Sequence, residues 1–89
     1  MHKHLIVSGR VQGVGFRFTA QQKAAEFGLT GWVRNNSDGT VEMEIEGGEQ
    51  SIQPFMEQLK DGFHSFIRVE HIEENSSNEE KGFDTFSIK

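Results

Sequence analysis

Ser8-Gly9-Arg10-Val11-Gln12-Gly13-Val14-Gly15-Phe16-Arg17 is the stretch on which the reading of this 89-residue chain turns. Before it stands an apolar run, Leu5-Ile6-Val7. After it, Phe16, Ala20, Ala24 and Phe27 recur at helical spacing. Three glycines within seven positions let the backbone turn so that successive N–H groups converge. A concavity of this kind at a helix N-terminus suits an anion, and a guanidinium beside it adds a bidentate grip on phosphate or carboxylate. The segment reads as strand, phosphate cradle, helix.

The remaining elements extend outward from that unit. Lys3 to Val11 forms the first strand and Phe16 to Phe27 the first helix, closed by Gly28 in a left-handed conformation. Leu29 to Asn35 is a second strand carrying Trp32, and Asn36-Ser37-Asp38-Gly39 is a turn. Thr40 to Glu46 alternates strictly. Val41, Met43 and Ile45 face inward and Glu42, Glu44 and Glu46 face solvent. That glutamate stripe is expected to be a wet face that discourages sheet-to-sheet association.

After Gly47-Gly48, with Glu49 or Ser51 as cap, Ile52, Phe55, Met56, Leu59 and Phe63 follow the spacing of a core-facing helix, with Pro54 in its first turn. Phe66 to Glu73 is a strand with a bulge implied by Ile72 falling out of phase. Asn75 to Gly82 reads as a polar loop, and Phe83 to Ile88 as a final strand. The order predicts an α+β fold: a ferredoxin-like βαββαβ sandwich, one antiparallel sheet with two helices packed on one face, as a single domain over residues 1–89.

Composition narrows the functions. The chain has no Cys, which removes disulfides, zinc-thiolate sites and a catalytic thiol. Eight Phe and one Trp give a small core the bulky side chains it needs. Net charge is −5, with acids concentrated late, so nucleic acid and anionic membrane are not expected partners. With no long apolar stretch, the expectation is a cytoplasmic monomer. His2, His4, His64 and His71 show no metal-ligand spacing, and His2 and His4 read as exposed. Arg10 is expected to brace the loop and Arg34 to be solvated.

Three motifs carry a family resemblance: Gly9-Arg10-Val11-Gln12-Gly13-Val14-Gly15-Phe16-Arg17, then Gly28-Leu29-Thr30-Gly31-Trp32-Val33-Arg34-Asn35, then Asp38-Gly39-Thr40-Val41-Glu42. Together with Gly82-Phe83 and the closing Phe86-Ser87-Ile88, they closely resemble acylphosphatases over almost the whole chain. Gly at position 15, where several eukaryotic members carry Cys, matches bacterial members. The segment after the second helix, Gly62-Phe63-His64-Ser65, departs from the Gly-Pro step of many members, and the chain lacks the Arg-Tyr ending of some.

The resemblance implies metal-independent hydrolysis of small acyl phosphates to a carboxylate and inorganic phosphate, with no cofactor and with phosphate as a competitor. It implies that Arg17 binds the phosphoryl group and that Asn35 positions the attacking water. The amides of Gln12, Gly13, Val14, Gly15, Phe16 and Arg17 would form the cradle. Phe16 and Phe18 flank Arg17 and could shape the substrate side.

Two other readings compete. An RNA-binding domain shares the βαββαβ order, but its third-element strand would need exposed aromatics where this chain has glutamates. A cradle serving as a module of a larger protein, as in hydrogenase-maturation carbamoyltransferases, is the other. The presence of both Arg17 and Asn35 in a chain of one domain favours independent catalysis.

Overall fold

The computed structural model describes residues 1–89. The chain runs β1 (His2–Arg10), α1 (Phe16–Glu26), β2 (Thr30–Asn35), β3 (Val41–Glu46), α2 (Glu49–Lys60), β4 (Arg68–Ser77) and β5 (Phe86–Ile88). The five strands form one sheet in the order β4-β1-β3-β2-β5. The first four pair antiparallel, as expected. The last corrects the expectation of a wholly antiparallel sheet: β5 runs parallel to β2, with Val33 opposite Ile88.

Period-two alternation decides which side of the sheet is dry. Leu5, Val7, Val33, Val41, Met43 and Ile45 are fully buried beneath the helices. Against them α1 sets Phe16, Ala20 and Ala24, and α2 sets Ile52, Phe55, Met56 and Leu59. The α2 series stops at Leu59. Phe63 lies beyond the helix with φ of 65°, yet its ring still packs against Phe16 and Phe55 at centroid distances of 5.6 and 5.7 Å. Pro54 sits in the second turn rather than the first, because α2 already starts at Glu49. Gln50 therefore lacks the i+4 N–H that would have bonded its carbonyl.

The bulge is present: Ser8 pairs with His71 and Gly9 with Val69, so Glu70 is the extra residue. β4 is longer than expected. Asn75 to Ser77 pair with His4, Lys3 and His2, so the polar loop begins only after Ser77.

The glutamate face is the main correction. Glu44 and Glu46 are buried, at 6% and 3% exposure, not solvated. The register explains why: His4, Glu44 and Trp32 stand abreast on β1, β3 and β2, as do Ile6, Glu42 and Arg34. Glu44 accepts from His2 Nε2 at 2.6 Å, Trp32 Nε1 at 2.7 Å and Lys81 Nζ at 2.7 Å. Glu46 accepts the backbone N–H groups of Lys81, Gly82 (3.0 Å) and Phe83 (3.3 Å). His4 and Arg34 both reach Glu42, at 2.6 and 2.9 Å. The segment joining β4 to β5 is thus drawn across the back of the sheet. His2 is buried rather than exposed. Arg34 is exposed as expected, but it is held by Glu42 and lies 5.1 Å from the Trp32 ring centroid.

Burial opposes the charge on Glu44, but its hydrogen bonds from Lys81, His2 and Trp32 outweigh that and hold the carboxyl down at about 2. Glu46 is also lowered: burial is again overcome, here by the three backbone N–H donors. A depressed folded-state value stabilises the fold fully above the ordinary 4.5 and loses that contribution as pH falls toward 2. Glu44→Gln is expected to cost about 2 kcal/mol or more at neutral pH, roughly 10 °C in Tm for a domain this size. Its Tm should also fall less steeply than wild type between pH 4.5 and 2, as thermal denaturation followed by circular dichroism will show.

Candidate active site

The loop between β1 and α1 is built by alternating backbone handedness. Gly13 and Gly15 take φ of 75° and 78°. A Cβ at either would meet nothing within 4 Å, so glycine is required there for conformation rather than for space. Gly15 is also the N-cap of α1. It contributes no side-chain cap, and the first helical turn holds no acid. As a result, no backbone N–H from Gln12 through Phe18 donates to an acceptor within the protein. Seven successive donors stand free at the positive end of a helix, the arrangement an anion would satisfy.

Arg17 lies in that first turn, half-buried, with no acidic partner in ion-pair reach. A surface salt-bridge role is therefore not what holds it. Asn35 closes β2. Alternation puts it on the same side of the sheet as buried Val33, and it opposes Val41 on β3. The neighbouring Asn36 takes the turn role instead, donating to Thr40 Oγ1 at 3.1 Å and leaving the Asn35 amide without a protein partner. Arg17 and Asn35 line one cleft of about 210 Å³ together with Gly13, Gly15, Phe16 and Phe18. Val11 and Ile88 complete it.

Gln12 and Val14 do not line the cleft with their side chains. Val14 packs against the core. Gln12 turns its amide to the β2–β3 turn and donates to the carbonyls of Asn36 and Thr40, each at 2.8 Å. Gln12 thereby ties the loop to the segment that follows Asn35. Arg10, expected to brace the loop, pairs with Arg68 through its backbone, but its side chain has no ion-pair partner and the residue is exposed. Sequence reasoning had no signal for this exchange beyond the proximity of Gln12 to the glycines.

Two other concavities are chemically different. One of about 240 Å³ lies between the start of β1 and α2, and its Lys3 ammonium is already engaged by Glu74 and Ser76. The other is open and follows the β4 bulge near His71. Lys60 lines both, and each also carries carboxylates, Glu49 and Glu74 in the first and Glu70 in the second.

The Acylphosphatase family profile matches residues 3–88. This chain belongs to the acylphosphatase family. It is 45% identical over 84 residues to the acylphosphatase of Bacillus subtilis strain 168, covering 94% of this chain and 91% of that protein. It is 53% identical over 72 residues to the acylphosphatase of Geobacillus kaustophilus, covering 79% and 76%. The crystal structure of acylphosphatase from Bacillus subtilis superposes with a TM-score of 0.94 at 43% identity, covering 99% of this chain and 97% of that one. Full-length HypF in its phosphate- and nucleotide-bound form matches at a TM-score of 0.89 and 33% identity. That match takes in 99% of this chain but 11% of HypF.

The bracing of the cradle by Gln12 is open to test. Gln12→Ala removes two neutral hydrogen bonds, so inorganic phosphate is expected to bind about 10-fold more weakly by titration calorimetry. The fold should persist, with Tm lower by roughly 5–10 °C.

Proposed function

We propose that this chain, acting as one catalytic domain, hydrolyses acyl phosphates to a carboxylate and inorganic phosphate. The observation that carries the reading is the row of free amides from Gln12 to Phe18 beside unpaired Arg17, with the Asn35 amide in the same cleft. The acylphosphatase relatives lend the substrate class.

An acyl phosphate is a mixed anhydride with a good leaving group. The enzyme must hold a dianionic phosphoryl group and place one water in line with the leaving oxygen. The loop amides and the Arg17 guanidinium neutralise charge on the non-reacting phosphoryl oxygens. Asn35 offers a donor and an acceptor, so it orients the water without titrating. The water oxygen bonds to phosphorus as the bond from phosphorus to the acyl oxygen breaks. The carboxylate leaves with the electron pair. No titratable side chain except Arg17 lines the cleft, so the water proton passes to a phosphate oxygen or to solvent.

The same proposal takes the enzyme to be a cytoplasmic monomer. No helix is long and apolar enough to cross a membrane. The long free edge, β4, carries Arg68, Glu70, Glu73 and Glu74, which oppose pairing with another sheet.

With benzoyl phosphate and EDTA present, Arg17→Ala and Asn35→Ala are each expected to lose 10²-fold or more in kcat/KM, on the order of one lost transition-state donor. Arg17→Lys should recover only part, because it lacks the planar fork. A wild-type rate in Arg17→Ala defeats the reading. So does a pH–rate step near 6.5 that disappears in a histidine variant, because it would identify a general base.

A further inference from the structure

The molecule exposes three large apolar side chains: Phe66, Phe18 and Ile88. Two of them, Phe18 at 59% exposure and Ile88 at 40%, line the same cleft as Arg17 and Asn35. Solvent-facing apolar groups are ordinary when scattered, but a pair flanking a polar anion cradle is a feature of a binding site.

Their placement follows from the fold. Ile88 pairs with Val33 on the strand that ends in Asn35, and the Lys89 N–H donates to the Val33 carbonyl at 2.8 Å. One turn past Phe18 on α1, Gln21 donates to the Phe86 carbonyl of β5 at 3.0 Å. The helix that supplies the cradle is thereby tied to the strand that supplies Ile88. Upstream, the segment before β5 is anchored by Glu46 through the Lys81, Gly82 and Phe83 amides. Lys89, next to Ile88 in sequence, is held on the other face of the sheet, 4.4 Å from the Trp32 ring centroid.

Resting on the acylphosphatase reading, we infer that Phe18 and Ile88 form the subsite for the acyl group and select aromatic or branched apolar acyl phosphates over small or charged ones. The phosphoryl group, common to all substrates, is gripped by the loop and Arg17, so it carries no acyl selectivity. Discrimination must come from what the leaving carboxylate's substituent touches, and the cleft offers it a ring and a branched chain with no carboxylate or ammonium beside them.

The test compares kcat/KM for benzoyl phosphate and acetyl phosphate in wild type, Phe18→Ala, Ile88→Ala and Phe18→Leu. Wild type is expected to prefer benzoyl phosphate. Each alanine variant should shrink that preference about fivefold or more, through the benzoyl KM, and Phe18→Leu should keep most of it. Inorganic phosphate, which has no acyl group, should inhibit all four with a similar Ki. A preference that is unchanged in both alanine variants, or a wild type that prefers acetyl phosphate, overturns the subsite and leaves the acylphosphatase reading standing. A wild type that hydrolyses neither compound overturns both.

Discussion

Seven consecutive backbone N–H groups without a protein acceptor impose the constraint around which this small fold is arranged. Unsatisfied donors at a helix start raise the free energy of the isolated chain unless water or a ligand answers them. Most helices solve the problem with a Ser, Thr, Asp or Asn cap. Here the cap is Gly15 in a left-handed conformation, and the first turn carries a cation instead of an acid. Each local choice keeps the donors free and the field positive. The open row of donors is made by withholding ordinary helix-capping chemistry at one place.

A loop of such freedom needs a stiff surround. Phe16 anchors the start of α1 in the core against Phe63. Gln12 fastens the loop to the β2–β3 turn, which fixes the neighbourhood of Asn35. On the far side of the sheet, Glu44 and Glu46 gather His2, Trp32 and the amides of Lys81 to Phe83. That polar face holds the chain leading into β5, and β5 sets Ile88 at the rim of the cleft. The buried carboxylates are therefore tied to the site through the backbone, though none of them touches it.

Much of this was legible in the residues. The alternation of Val41, Met43 and Ile45 and the helical spacing of Ile52, Phe55, Met56 and Leu59 report directly on burial, because side-chain periodicity is set by backbone geometry. The glycines of the β1–α1 loop and the family resemblance single out Arg17 and Asn35 as candidates in the sequence itself. Alternation alone could not reveal that the glutamate face is covered, because it tells the two sides of a strand apart without saying whether a loop lies over the second side. The matching period-two series of His2 and His4 was the available signal, since it pairs an imidazole row with a carboxylate row once β1 lies beside β3. The parallel pairing of β5 and the length of β4 depend on long-range register, which a local pattern does not encode. Gln12's turn toward Asn36 and Thr40 is likewise a tertiary contact.

The central claim is that the loop amides, Arg17 and Asn35 meet on one anion. The most direct measurement is a titration of ¹⁵N-labelled protein with inorganic phosphate, following backbone amides, the Arg17 side-chain Nε–H and the Asn35 side-chain amide by NMR. Saturable shifts with one common Kd are expected, concentrated on Gln12 to Phe18 and on both side chains. Shifts confined to other surfaces, or a loop that responds while Asn35 stays silent, would contradict it.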